Sequence, residues 1–307
     1  VAISDHITTY AGLPIVEYPE GSPVADPALV AWRVDDPEYE GGEIFEERLS
    51  GLLAEPWAGQ VTTLVIGNWG SAYDTAAPVE RIAEAATSLP SLRALFLGEL
   101  TFEECEISWI RHTDITPLFE AYPELTTLTV RGAEGLSFKP LRHTALRSLT
   151  FQSGGLDAGI VRAVADSDFP QLNHLELWLG VENYGGDATV DDLSQILAGG
   201  RLPRLTSLGL KDADIADEVA AAVAAAPIVA RLEELDLSMG VLTDVGAAAL
   251  LAGQPLTHLR RLDLHHHYLT EPLVARITAE LGEAGVDVDL SEPEEPDGTW
   301  RYVSVAE

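Results

Sequence analysis

The stretch Leu232–Leu269, LEELDLSMGVLTDVGAAALLAGQPLTHLRRLDLHHHYL, contains one pattern twice. The pattern is L-x-x-L-x-L-x-x-x-x-L, carried by Leu232, Leu235, Leu237 and Leu242 and again by Leu259, Leu262, Leu264 and Leu269, a spacing of 27 residues. In each copy L-x-L reads as a short strand, because side chains two residues apart leave a strand on the same side. Leu235 and Leu237 then face a core and Asp236 faces out. Between the copies, the alanine-rich Val245–Leu251 fits a helix. One strand and one helix cannot bury their apolar sides alone, so each copy must stack on neighbours.

Repeats of this length and leucine spacing are leucine-rich repeats. The expected fold is therefore an α/β leucine-rich-repeat solenoid, a curved right-handed arc with parallel strands on the concave face and helices on the convex face. Working outward, the strand pattern begins again at Val61, Leu92, Leu125, Leu146, Leu172 and Leu205, and a ninth strand-like run is Val286–Leu290. Helices are expected between them at 78–88, 115–122, 157–166, 190–198, 216–226, 244–252 and 271–282, with Thr189 and Thr270 as starting signals. Residues 1–60 lack the repeat and read as an N-terminal cap. Residues 61–290 form the solenoid of about eight to nine units. Residues 291–307 are a tail or C-terminal cap, in which Trp300 and Tyr302 could pack over the last repeat.

Fifty Asp and Glu against eighteen Lys and Arg give a formal charge of −32. That field repels a phosphate backbone and there is no basic patch, so nucleic acid is not expected as a partner. It favours a partner with a basic surface, although acidic bacterial proteomes show the same balance with no functional meaning. Cys105 is the only cysteine, which rules out an internal disulfide. The opening VAISDHITTYAGL lacks the basic and apolar regions of a signal peptide, and no run of about 18 apolar residues exists to span a membrane. A cytoplasmic bacterial protein is the expectation.

With the leucines inside, positions 3, 5 and 7 of each strand project to the concave side. In the first half they are small and neutral, as in Thr63, Val65 and Ala94. In the second half they are charged or aromatic: His174, Glu176, Trp178, Glu234, Asp236, Arg261, Asp263 and His265. These are the candidate partner-binding residues. Trp109 joins them from the insertion 98–113 and Tyr184 from the insertion 178–189, since aromatic side chains concentrate at binding hot spots. Trp178 either packs beneath its own insertion or meets a ligand.

The alternative function is a metal-dependent enzyme or metal-binding subunit. Asp263, His265 and His267 alternate onto one side, so imidazole and carboxylate donors could converge on a divalent ion. Against this, His267 stands where a turn-bridging asparagine is common. Cys105 lies among Glu103, Glu104 and Glu106, which disfavour thiolate and so a nucleophilic role. No phosphate-binding loop, dinucleotide fingerprint, nucleophile elbow, metalloprotease helix or C-x-x-C is present. No cofactor is implied, and the leading expectation is a non-catalytic protein- or peptide-binding scaffold.

The run Leu242–Leu250, LTDVGAAAL, resembles the ribonuclease-inhibitor-like class of leucine-rich repeats. The whole chain is similar to an uncharacterised bacterial, mainly actinobacterial, leucine-rich-repeat family. The stretches that carry this are LVIGNWG (64–70), EISWI (106–110), LELWLG (175–180) with YGGDAT (184–189), and LDLHHHYL (262–269). Members tend to be encoded beside radical-SAM-like and ATP-grasp-like proteins. The resemblance implies an accessory role in a modification pathway and supplies no catalytic residues.

Overall fold

A computed structural model describes residues 3–19, 24–37 and 41–307. They form two compact units, one ending at Gln152 and the other spanning Ser153–Ala306.

The first unit contains β1 (Thr9–Tyr10), β2 (Leu13–Glu17), β3 (Ala31–Val34), α1 (Glu43–Ala54), β4 (Thr63–Ile66), α2 (Val79–Glu84), β5 (Ala94–Leu97), α3 (Thr116–Ala121), β6 (Thr127–Arg131) and β7 (Ser148–Gln152). β1 and β2 make an antiparallel hairpin, and β2 to β7 pair in parallel in chain order. Leu64, Leu95, Leu128 and Leu149 stand in register and are fully buried. Burial of alternate residues fixes this register, because a slip by one would turn every leucine to the other side. The parallel ladder begins at Ile15 of β2, inside the Pro- and Gly-rich opening where repetition is invisible in the sequence.

The second unit contains α4 (Ala158–Asp166), β8 (His174–Gly180), α5 (Val190–Ala198), β9 (Ser207–Ala213), α6 (Ala216–Ala224), β10 (Glu234–Asp236), α7 (Asp244–Ala252), β11 (Arg261–Asp263), α8 (Glu271–Ile277) and β12 (Asp287–Asp289). β8 to β12 are parallel, with Leu175, Leu208, Leu235, Leu262 and Val288 in register. Alternating strands and helices with stacked leucine rows make the fold an α/β leucine-rich-repeat solenoid. Thr189 and Asp192 form a capping box at the start of α5. Thr270 does not cap α8; its hydroxyl donates to Asp244 one repeat earlier, as the Thr243 hydroxyl does to Asp217.

With no asparagine ladder, the last three strands of the second unit, β10 to β12, end in another way. Asp236, Asp263 and Asp289 accept the amide two residues on, from Ser238, His265 and Ser291. The following residues, Met239, His266 and Glu292, take left-handed backbone with φ of 69°, 55° and 57°. The carboxylate thus satisfies an amide the ladder has left, just before the chain swings away. The C-terminal segment crosses these turns in reverse order. Tyr302 O faces the His266 ring, Ser304 N donates to Met239 O, and Val305 N donates to Asp212. Val303, Ser304 and Val305 are buried there. Trp300 and Tyr302, expected to pack, are 69% and 60% exposed, because the segment is fixed to the repeats through the backbone of Tyr302, Ser304 and Val305 and buries only residues 303–305.

Candidate functional site

The outward strand faces of the two units differ in what lies on them. In the first unit the face is covered by the chain's own opening. Ile7, Tyr10, Leu13 and Ile15 pack on Ala31, Val65 and Phe96. The Tyr10 hydroxyl donates to Leu95 O at 2.7 Å, and its ring lies 5.3 Å from that of Phe96. At one edge Glu99, fully buried, pairs with Arg33 and accepts from the amide of Ile7 at 3.2 Å and from His6 at 3.1 Å. Arg131 lies 3.8 Å from the same carboxylate. The face expected to be small and neutral is thus an apolar strip bordered by two buried arginines and the glutamate that holds them.

In the second unit most of the corresponding positions remain partly accessible, Gly209 and Asp263 being buried. Reading across β8 to β12, the first row is His174, Ser207, Glu234, Arg261 and Asp287, and the second is Glu176, Gly209, Asp236, Asp263 and Asp289. Polar contacts run along the rows. His174 meets the Ser207 hydroxyl at 3.0 Å, which donates to Glu234 at 3.2 Å. Lys211 Nζ sits 2.9 Å from Asp236, and Arg261 bridges Asp263, Asp287 and Asp289 at 2.8 to 3.1 Å. A recess of about 100 Å³ opens among His174, Glu176, Ser207, Glu234, Asp236 and Asp263, over Gly209. Nine of the ten candidate residues belong to this unit. Trp109 belongs to the first unit, 45% exposed on a single helical turn over Ile107–Trp109.

Three expectations change. Trp178 looks exposed in the alternation but is 7% exposed; its indole N–H donates to Glu176 at 2.7 Å and Lys211 covers its ring at 5.8 Å. A large aromatic ring left in solvent would forfeit the burial that these two side chains supply. Trp178→Ala is therefore expected to cost about 3 to 5 kcal/mol of stability. Tyr184 is half-buried; Glu182–Tyr184 form a tight turn closed onto Val181, and the Tyr184 carbonyl lies where a Cβ on Gly155 would have to go. His267 does not join Asp263 and His265. Its ring is buried, with Nε2 3.1 Å from Leu290 O and Nδ1 accepting from Leu269 N, the turn-bridging role of a missing asparagine.

The group that does converge is Asp263, His265 and Asp289, whose donor atoms lie within 4.8 Å of one another. Asp289 lies in the ninth strand-like run, Val286–Leu290, and is absent from the candidate residues only because position counting covers the eight leucine-framed strands; Asp287 and Asp289 alternate outward from Val286 and Val288 as Arg261 and Asp263 do from Leu262. Arg261 already places its guanidinium between Asp263 and Asp289, and His265 Nδ1 bonds Asp263 at 2.7 Å. The Asp263 carboxyl is held well below the usual range: burial opposes this, but hydrogen bonds from His265 and Arg261 outweigh it. His265 is raised, chiefly by its hydrogen bond to Asp263. A divalent ion could use these three donors only by displacing Arg261.

In the first unit, burial together with Glu106 and Glu104 pushes the Cys105 thiol up to about 12, and burial lowers His112 to about 4. Neither has the character of a catalytic group at neutral pH. Among the described residues no helix is long and apolar enough to cross a membrane.

No known family profile matches the chain, and no curated protein does. Among solved structures it is similar to a Bacteroides fragilis protein determined by a structural genomics consortium, at 28% identity and a TM-score of 0.78, over 89% of this chain and 76% of that one. A TLR13 chain solved in complex with ssRNA13 aligns at 16% identity and a TM-score of 0.42, over 89% of this chain and 38% of that one. That second likeness is too loose to bear on function.

Proposed function

We propose that this chain is a non-catalytic protein- or peptide-binding scaffold whose partner lies on the strand face of the second unit. One observation carries the reading: the first unit covers Ala31, Val65 and Phe96 of its strand face with Ile7, Tyr10, Leu13 and Ile15 of its own chain, while His174, Glu176, Ser207, Glu234 and Asp236 of the second unit stay partly accessible around a recess. A rigid row of strands is a platform for an extended partner. At about 100 Å³ the recess is well below the roughly 300 to 1,000 Å³ of small-molecule sites, so it suits one side chain of a larger partner better than a substrate. The family resemblance supports an accessory role in a bacterial modification pathway as part of the same reading.

Selection of a displayed random-peptide library on the full chain, followed by amide hydrogen exchange of the complex, tests this. Protection is expected at β8 to β11; protection confined to the first unit would overturn it. The metal reading keeps one supporting observation, the Asp263, His265 and Asp289 donor set. Stoichiometric zinc, manganese or iron in untagged protein would favour it.

A further inference from the structure

We propose that the occupant of this face is an extended basic segment, one of whose lysine or arginine heads enters the recess over Gly209. The inference rests on the scaffold reading and adds the partner's chemistry. Gly209 leaves a gap in a row otherwise made of Glu176, Asp236, Asp263 and Asp289. A Cβ there would lie 3.1 Å from Glu176 Cγ, so the recess exists because this one position lacks a side chain. Its volume is that of about three water molecules, room for an ammonium or guanidinium head and little more.

The charge on the face is one-sided. Six carboxylates (Glu176, Glu234, Asp236, Asp263, Asp287, Asp289) face three cations, Lys211, Arg261 and Arg260, the last paired with Glu234 at 2.7 Å, a formal excess of three negative charges before the histidines are counted. The carboxylates beside the recess are already oriented. Glu176 accepts from the Trp178 indole, Glu234 from Ser207, and Asp236 from the Ser238 amide. Holding them costs an incoming cation little ordering. Lys211 shows how this field treats a positive group. Its side chain is only 12% exposed and burial opposes its charge, yet Glu176, Asp236 and Asp263 raise its pKa. The first unit supplies the precedent for an extended segment lying on such a face, in its own residues 3–15.

The test is fluorescence anisotropy of the full chain with a labelled dodecapeptide of alternating arginine and serine, and with the same peptide carrying citrulline for arginine. The arginine peptide should bind at about 50 mM salt and weaken as salt rises. The citrulline peptide should bind at least about ten-fold more weakly. Glu176→Gln with Glu234→Gln keeps the hydrogen-bond acceptors and should lose about ten-fold. Gly209→Leu, which fills the recess without changing charge, should lose a similar factor, while Glu120→Gln with Glu124→Gln in the first unit should change affinity less than about two-fold. Thermal melts confirm that each variant is folded.

Equal binding of the citrulline peptide, an equal loss in the first-unit control, or no binding of the arginine peptide overturns the proposal. If the arginine peptide fails but a neutral or acidic library peptide protects β8 to β11, the partner chemistry is wrong and the scaffold stands. If no peptide protects those strands, the scaffold reading falls as well.

Discussion

Thr63, Val65, Ala94 and Phe96 in the first unit and Ser207, Gly209, Glu234 and Asp236 in the second occupy the same strand positions, two residues apart on the outward side of parallel strands. The former are buried beneath the chain's own opening, whereas Ser207, Glu234 and Asp236 remain accessible. The cause is chemical. An apolar strip such as Ala31, Val65 and Phe96 gains by covering, at about 25 cal/mol per Å² of apolar surface removed from water. A row of carboxylates would lose hydration under an apolar cover and stays open unless a cation arrives. The same scaffold therefore yields one closed face and one receptive face through residue choice at positions that do not affect the fold.

The largest expected effect lies at the closed face. Glu99→Ala removes the fully buried carboxylate that pairs Arg33 and anchors Ile7 and His6, leaving the buried guanidinium with Asp35 at 3.2 Å and the more distant Glu104. It should cost about 3 to 5 kcal/mol in urea unfolding and make residues 3–17 susceptible to protease. A loss under about 1 kcal/mol would mean that the cover is held by apolar contact alone.

Acid and base separate the units next. His112 is buried neutral with its pKa lowered to about 4, against about 6.5 when unfolded. Between these values the unfolded chain binds a proton that the folded one refuses, so stability falls as pH drops from about 6.5 to about 4, by roughly 3 kcal/mol. His265 has the opposite sign. Its pKa is raised by Asp263, so its contribution is full below about 6.5 and is lost as pH rises through the folded value. Histidine ring resonances followed by NMR should show His112 titrating well below 6.5 and His265 above it. The reverse order would undo the contrast.

The smallest effect expected is Tyr10→Phe, which keeps the ring on Phe96 and deletes the hydroxyl bonds to Leu95 O and Thr129. About 1 kcal/mol, with faster amide exchange confined to β1 and β2, is the expected result. No change in exchange would show that the apolar strip suffices.

Much of the open face is legible in the sequence. Position counting from Leu175, Leu208, Leu235 and Leu262 put His174, Glu176, Glu234, Asp236, Arg261, Asp263 and His265 on one side, and the structure gathers them in the second unit. Trp178 was read onto the same side, but alternation says which way a side chain leaves the strand and not what else lies there. His267 was grouped with His265 because period-two counting was carried past the end of β11. The left-handed turn at His266 breaks that period and sends His267 into the interior.

Leucine spacing, helix positions and the charge of the outward rows are local properties, set by residues within one 27-residue repeat, and the sequence alone determined them. The cover on the first unit depends on contacts such as Tyr10 to Leu95 and Ile7 to Glu99, 85 and 92 residues apart. No periodicity encodes such a meeting, because it forms only after the strands have stacked and created the strip on which the opening segment lies. Which face is covered and which stays open was therefore decided by the tertiary structure, through long-range burial that outweighs the weak local preferences of residues 3–17.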